Sequence, residues 1–417
     1  MKHTNGFDLG HDFTQSLPIT TIDNNIQENI LTHNRFQVHE KELEKKLLVK
    51  NVDAVHYLRS IESCISQALI SRQNYTEIKN LATHFIGGST SFFGFESHLN
   101  SPDAYCDYQF AISSKRGERE ILANHLQNGN FPETFLQQTE WQKVRNFLID
   151  WATPHSILYD NVLGFWFEFD MDAPKNKPPI PSIFLHTIPF RNNSVMDIKK
   201  YEWLTRYALP LIIGHSLPEK IEQNLLLCIK KLPRGANICQ FGIMLSRSIQ
   251  GMRIVVNRIQ PKEIIPYLEK LGWSHGTEEL SQFIAELEKK VTRICIDIDI
   301  LENGIGPKIG IECSYYPAKH DQYQPEPRWL SFLSYLVEKN LCLPQKRAGL
   351  MDFLPEGTNQ DEPQYYHQNE LSIATKISSE TATTVLVRQM GHVKIVYQPN
   401  HPLEAKAYFG ARLFGSI

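Results

Sequence analysis

The sequence predicts an α+β protein built on a closed antiparallel β-barrel with its helices outside. Pairs of short strands recur about four times along the chain, and each pair is followed by one or two helices. Every strand alternates between an apolar and a polar face. The helices can cover the apolar faces, which leaves the polar faces to line a solvated lumen. A flat α+β sandwich is the alternative, and it would expose sheet edges to water.

Composition and charge exclude several classes of protein. The 417 residues include 43 Lys and Arg against 46 Asp and Glu, a net charge of -3 that gives no general attraction to nucleic acid or anionic membranes. The longest apolar runs, such as 208–214, fall well short of the ~20 residues of a membrane span. Residues 1–16 have no apolar core, so we expect no secretory signal. Seven scattered cysteines without a C-x-x-C pair indicate reduced thiols in a cytoplasmic protein.

The N-terminal quarter is predicted to differ from the rest. Residues 1–40 are polar and aperiodic, which indicates a loosely ordered lead-in. Apolar residues then recur at three- and four-residue spacing over 39–86, which predicts helix ending at Gly87 and Gly88. We therefore expect a lead-in and helical extension over residues 1–102 and a single barrel domain over residues 103–417.

The strands and helices of the barrel follow in order. Period-two alternation predicts strands at 106–113, 165–172, 181–188, 240–247, 251–259, 292–300, 307–316, 392–397 and 404–413. Helical spacing predicts helices at 119–129, 219–232, 261–273, 277–290 and 329–340. Pro261 is a favourable first-turn residue for its helix, and Glu302-Asn303-Gly304 is typical of a hairpin turn.

Three strings resemble the ABBA-type (PT-barrel) aromatic prenyltransferases. They are CDYQFAIS, then GMRIVVN leading into PKEIIPYLEKLGW, and finally IVYQPNHPLEAKAYFGARL. The resemblance implies a ten-stranded barrel of repeated α-β-β-α units. It also implies transfer of a prenyl group from a prenyl diphosphate to an aromatic or peptidic acceptor in the lumen.

The resemblance also implies which residues would hold the diphosphate. Arg253, Lys394 and Lys406 would grip the phosphates, and Tyr408 would shield an allylic cation through its ring. Fixed cations in a water-poor site stabilise a departing diphosphate better than cations in water. Asn257 and Arg412 lie on the same strand faces, so we include them among the candidate substrate-binding residues.

Two acidic pairs at i, i+2 spacing depart from this pattern: Glu168 with Asp170, and Asp297 with Asp299. Glu168, Asp297 and Asp299 are candidate general bases that take a proton from the acceptor. Asp170 and Asp299 are candidate ligands for Mg²⁺ bridging to the diphosphate. The third interpretation is that the acids form ion pairs with the lumen cations.

Two other functions stay open on the same barrel. One is non-prenyl chemistry, by a tailoring enzyme or cyclase in secondary-metabolite or ribosomal-peptide biosynthesis. The other is a non-catalytic small-molecule-binding barrel. The sequence contains no G-x-S-x-G, G-x-G-x-x-G or P-loop motif, which disfavours a hydrolase triad, a dinucleotide site and a nucleotide triphosphatase.

Overall fold

Strand pairing closes the sheet on itself. The computed structural model describes residues 54–115, 117–172, 177–192, 201–247, 251–316, 326–354, 374–379 and 382–415. In these residues every strand pair is antiparallel, in the order β11-β1-β2-β3-β4-β5-β6-β7-β8-β10-β9, and β10 also pairs with β11. Ten strands therefore form a closed barrel, and β9 lies outside the ring, paired only with β10.

The strands carry the following bounds. They are β1 Phe92–His98, β2 Cys106–Ser113, β3 Val162–Phe169, β4 Ser182–Phe190, β5 Asn237–Met244, β6 Gly251–Asn257, β7 Arg293–Leu301, β8 Gly304–Ser314, β9 Ala374–Ser379, β10 Ala382–Tyr397 and β11 Glu404–Gly415. The long β10 pairs with β9 through one end and with β8 through the other, while β11 pairs along most of its length.

The helices occur between the strand pairs and before them. They are α1 Ala54–Ile61, α2 Arg72–Ala82, α3 Glu118–Gln127, α4 Glu133–Leu136, α5 Thr139–Ala152, α6 Ile157–Asn161, α7 Leu209–Ile213, α8 Glu219–Lys231, α9 Pro261–Lys270, α10 Thr277–Leu287, α11 Arg328–Glu338 and α12 Pro344–Phe353. A π-helical turn, Trp203–Ala208, precedes α7. Within the described residues, none of the helices has the length and apolarity needed to cross a bilayer.

The main core lies between the outer faces of the strands and the helices. Phe110 and Phe167 from β2 and β3 are fully buried, and Trp141 of α5 stacks on Phe167 at 5.8 Å between ring centroids. Alternation puts every second side chain of these strands on this outer face. The intervening residues, such as Gln109 and Glu168, therefore point into the barrel, where they line a cavity.

The predicted fold class is confirmed, with changes in detail. The closed barrel with external helices replaces the sandwich alternative, and the strand Cys106–Ser113 has the predicted bounds. The barrel begins earlier than the predicted boundary at residue 103, because β1 at Phe92–His98 is one of its strands. Helices α4, α5, α6, α7 and α12 and strands β1 and β9 were not predicted from the sequence. The predicted lead-in over 1–40 lies outside the described residues.

Candidate functional site

The barrel encloses a cavity of about 220 Å³. Its wall combines acidic, basic and aromatic side chains from nearly every strand. The titratable members are Glu168, His186, Cys239, Arg293, Asp297, Glu312, His392, Lys394 and Tyr408; the other aromatic members are Phe92, Trp166 and Phe184. The cavity therefore offers both proton-exchanging groups and π faces to one bound molecule.

Asp297 and Lys394 form a buried ion pair in the cavity wall. Lys394 Nζ lies 2.5 Å from Asp297 Oδ2, and the two residues are 8% and 3% exposed. Burial alone would raise the pKa of Asp297, but Lys394 and then Arg253 lower it below its usual value. Burial lowers the pKa of Lys394, but the negative charges of Asp297, Glu312 and Glu96 together raise it above its usual value. Both groups are thus held in their charged forms.

Local backbone geometry makes room for this pair. Asp297 on β7 faces Gly310 on β8, and a Cβ at position 310 would lie 3.0 Å from Asp297 Oδ2. Strand β8 lies between β7 and β10, so Asp297 and Lys394 meet across β8. Lys394 lies opposite Glu312 on β8, whereas Asp297 lies opposite Gly310. The glycine therefore clears the space through which the aspartate meets the lysine.

Glu312 and His392 lie beside the ion pair. His392 Nε2 is 3.5 Å from Glu312 Oε1, and its ring stacks on Tyr408 with 4.1 Å between centroids. Burial, followed by Lys394, lowers the pKa of His392 to about 3, so the imidazole is neutral. Burial and the neighbouring Asp297 raise the pKa of Glu312 above its usual value.

A second ion-pair cluster joins β1 to β11. Lys406 Nζ lies 2.5 Å from Glu96 Oε1, and the Tyr408 hydroxyl donates to the other oxygen of Glu96. Burial would raise the pKa of Glu96, but Lys406 and Lys394 lower it to about 2. Lys406 therefore already has an anionic partner in the protein.

Two arginines are likewise paired with carboxylates. Arg253 donates from Nε to Asp299 Oδ1 at 2.7 Å and from Nη2 to Oδ2 at 3.1 Å. Arg247 donates to both oxygens of Asp170, at 2.7 and 3.1 Å, and Ser246 donates to the same carboxylate. These contacts are bidentate, the strongest arrangement of a guanidinium with a carboxylate.

Glu168 is a carboxyl group in the cavity wall with no described cation bonded to it. Burial, and then the charge of Glu96, raise its pKa to about 7. The pKa of Asp107 is also raised to about 7, by burial and then by the charge of Glu96. The Asp107 carboxylate accepts a hydrogen bond from the backbone N–H of Met171. Near neutral pH such groups can both take up and release a proton.

The structure brings some of the predicted site residues to the cavity and places others in ion pairs. Glu168, Asn257, Asp297, Lys394 and Tyr408 line the cavity. Asp299, Arg253, Lys406 and Asp170 form the ion pairs described above. The exposed Arg412 lies over the ring of Phe92, 6.0 Å from its centroid. Arg253 and Lys406 were expected to hold one anion together, but each is bonded to a different carboxylate, as in the ion-pair interpretation.

The expected magnesium ligands do not fit a metal ion in this arrangement. Both oxygens of Asp170 and of Asp299 accept hydrogen bonds from an arginine. Among the described residues, no group of three or more His, Cys, Asp or Glu side chains is placed to hold a metal ion.

Sequence reasoning missed three residues of the site as functional candidates. Glu96 lies on β1, a strand that the alternation pattern did not reveal. Glu312 lies on the strand predicted at 307–316, but its neighbours Asp297 and His392 could not be known without the strand order. His392 follows the bulge at Gly391, which shifts its register against β11. Only the strand order and the bulge bring these side chains together.

Comparison with known proteins gives matches among solved structures alone. No protein-family model matches the chain, and no curated protein sequence matches it. The prenyltransferase PriB in its apo form matches with a TM-score of 0.47 at 10% identity, covering 86% of this chain and 94% of PriB. AnaPT from Neosartorya fischeri matches with a TM-score of 0.46 at 11% identity, over 91% of this chain and 96% of AnaPT.

A third match is the 5-dimethylallyltryptophan synthase from Streptomyces coelicolor, with a TM-score of 0.44 at 9% identity, over 86% of this chain and 97% of that one. The closed barrel itself follows from the strand pairing, independently of these matches.

Proposed function

We propose that this protein is a prenyltransferase-like enzyme that works in the barrel lumen. It would transfer a prenyl group from a prenyl diphosphate to an aromatic or peptidic acceptor. The observation that carries the proposal is that aromatic faces and proton-exchanging carboxyl groups line one enclosed cavity. Aromatic faces stabilise a developing allylic cation, and a carboxyl group with a pKa near neutrality can take the proton that the acceptor loses.

Glu168 has the properties of that proton acceptor. It lines the cavity beside Trp166 and Gln109, and its pKa is raised to about 7 by burial and by Glu96. Glu168→Gln keeps the shape of the side chain and removes its ability to accept a proton. We expect this variant to fold and bind ligand normally but to lose about 10²–10⁴-fold in kcat.

The direct test uses dimethylallyl diphosphate and free tryptophan as probes. A diphosphate that binds at about 100 times its Kd adds about 2.7 kcal/mol to stability, which a thermal-unfolding assay detects. Mass spectrometry of the reaction mixture then detects a prenylated product. The proposal is wrong if the wild-type protein neither binds any prenyl diphosphate, with or without Mg²⁺, nor forms product.

A second candidate function is favoured by one observation. The lumen cations Arg253, Lys394 and Lys406 are each bonded to a carboxylate. A diphosphate must compete with those carboxylates, whereas a neutral or cationic substrate need not. The same barrel with non-prenyl chemistry, or a binding barrel without catalysis, would therefore bind uncharged or cationic molecules and show no thermal shift with prenyl diphosphates.

The proposed function also concerns the binding of Mg²⁺ and the cellular location of the protein. Because Asp170 and Asp299 are held by arginines, any Mg²⁺ would enter with the diphosphate rather than on these residues alone. Mg²⁺ is therefore included as a separate arm of the thermal-shift test. We also propose a cytoplasmic location, which is supported by seven cysteines that are all free thiols.

A further inference from the structure

Two buried polar atoms in the cavity wall converge on the carboxyl group of Glu312. Asp297 Oδ1 and His392 Nε2 are buried and have no hydrogen-bond partner among the described residues. His392 Nε2 lies 3.5 Å from Glu312 Oε1. Asp297 and Glu312 are diagonal neighbours on β7 and β8, because Asp297 lies opposite Gly310 and Cys295 lies opposite Glu312, and both side chains line the cavity. Leaving such atoms unpaired is costly, so the protonation state that pairs them is favoured.

A proton on Glu312 pairs Asp297 Oδ1, and the Nε2–H tautomer of His392 pairs the histidine nitrogen with Glu312. Two ionised carboxylates in contact repel each other, and a single shared proton converts the repulsion into a hydrogen bond. Asp297 keeps the negative charge, because Lys394 Nζ lies 2.5 Å from its Oδ2. The protonated Glu312 then donates to Asp297 Oδ1, and the neutral His392 can donate from Nε2 to Glu312 Oε1.

We propose that Asp297 and Glu312 share one proton, and that this carboxyl pair accepts the proton released by the acceptor during catalysis. The proton-sharing rests on the two buried unpaired atoms and on the register of β7 and β8, whereas the catalytic role rests on the proposed prenyl transfer. Glu312 thereby becomes a second catalytic carboxyl group, because it lines the cavity as Glu168 does.

The reaction step balances with the groups present. The carbon–oxygen bond of the prenyl diphosphate breaks, and its electron pair leaves with the diphosphate. A bond forms between the prenyl carbon and the acceptor, and the proton that the acceptor loses enters the carboxyl pair, which becomes neutral. Protonation of Asp297 removes the counter-charge of Lys394. Proton uptake thus leaves one lysine free to stabilise the diphosphate product, although that lysine is fully paired at rest.

The charged groups around Glu312 are consistent with this assignment. Arg293, Cys295 and Asp297 face it from β7, and His392 and Lys394 face it from β10. Burial is the largest cause that raises the pKa of Glu312, and the negative charge of Asp297 is the second. The positive charges of Lys394 and Arg293 lower this pKa but do not reverse the rise. The pKa of Asp297 moves in the opposite direction.

Infrared difference spectroscopy without substrate tests the shared proton. Spectra at pH 7 of the wild type minus each variant report the protonated carboxyl groups that a substitution removes. We expect Glu312→Gln and Asp297→Asn each to remove one protonated-carboxyl band, and the double variant to remove the same single band. In Asp297→Asn, Glu312 loses the neighbouring negative charge and gains an unpaired Lys394, so it ionises.

Glu168→Gln is the matched control: because the pKa of Glu168 is about 7, this variant removes the band of a partly protonated carboxyl group outside the pair, and the band of Glu312 stays in place. A band that persists in Asp297→Asn would overturn the proposal, because Glu312 would then hold its proton without its neighbour. If a variant fails to fold, alkaline titration of the wild-type protein replaces its spectrum. We expect the Asp297–Glu312 pair to release one proton in a single step, and the release of no proton would contradict the proposal.

Turnover distinguishes this proposal from the proposed function. With an active wild type, Glu312→Gln should lower kcat by about 10²–10⁴-fold and Glu312→Asp should restore part of it. Unchanged turnover in Glu312→Gln refutes the catalytic role. An inactive wild type with the expected infrared result would refute prenyl transfer and leave the shared proton standing.

Discussion

At the scale of single residues, three cations of the barrel interior, Arg253, Lys394 and Lys406, are each bonded to a carboxylate. The pair of Lys394 and Asp297 is almost completely buried. Taking two charges out of water is expensive, so such a pair adds little net stability compared with an apolar pair of similar volume. Removing one partner is a different matter, because the other charge then stays buried without compensation.

Replacing Lys394 with methionine tests this asymmetry. We expect Lys394→Met to lower the free energy of unfolding by about 3–5 kcal/mol at pH 8, measured by urea denaturation. In the wild type the pKa of Asp297 is lowered; without the lysine, burial raises it. A carboxyl group with a raised folded-state pKa loses stability as pH rises, so the defect should be smaller at pH 5 than at pH 8. An equal loss at both pH values would contradict this account.

Strand parity could predict which residues face the lumen, but not which residues pair there. Glu168, Asp297 and Lys394 were placed correctly because successive side chains of a strand point to opposite faces. Their partners depend on which strands are neighbours and on register, and both are set by the closure of the whole barrel. For that reason Lys406 and Arg253 were predicted to hold a diphosphate, although a carboxylate lies beside each.

At the scale of elements, the seam between β1 and β11 closes the barrel. Gly94 lies directly opposite Gly410, and a Cβ on Gly410 would come within 2.1 Å of Phe93 O and 2.5 Å of the Gly94 Cα. The two backbones are therefore too close to leave room for a Cβ at position 410. Strand β1, with the sequence FFGFESH, could not be recognised by alternation. Phe92 faces the cavity while Phe93 and Phe95 face the core, so apolar residues lie on both faces and no period of two is visible.

An alanine at this seam should open the barrel. We expect Gly410→Ala to cost at least about 3 kcal/mol in the free energy of unfolding, at the upper end for overpacked sites, since the atoms it meets belong to the backbone and cannot rotate away. Gly391→Ala is the control: it lies on the neighbouring β10, and its Cβ would meet only Tyr408 O at 3.5 Å. Equal stability of the two variants in urea would mean that the seam tolerates a wider spacing.

At the scale of the whole molecule, the barrel concentrates titratable groups in its interior while the net charge of the chain is only -3. The predicted architecture was confirmed because it depends on many independent alternations that agree, such as those of Cys106–Ser113 and Arg293–Leu301. The electrostatics of the interior depends on contacts between distant parts of the chain, such as Glu96 with Lys406, and no local pattern encodes them.

The dependence of stability on pH follows from these interior groups. The pKa of Glu96 falls from its usual value to about 2, so its contribution is complete above pH 4.5 and is lost as the pH falls toward 2. The pKa values of Asp107 and Glu168 rise to about 7, so the folded state loses stability as the pH rises toward 7 and beyond. The pKa of His392 falls to about 3; this favours the folded state as the pH rises, but only up to about 6.5.

Between about pH 6.5 and pH 8, therefore, the histidine no longer adds stability while the raised carboxyl groups still remove it. We expect the thermal midpoint to fall by a few degrees over this interval at constant ionic strength, because each kcal/mol is worth ~2–4 °C for a large domain. Glu168→Gln, whose amide does not ionise, should flatten the decline. A midpoint that rises from pH 6.5 to pH 8 in the wild type would show that the interior carboxyl groups ionise without penalty, and that the lumen is more hydrated than its burial implies.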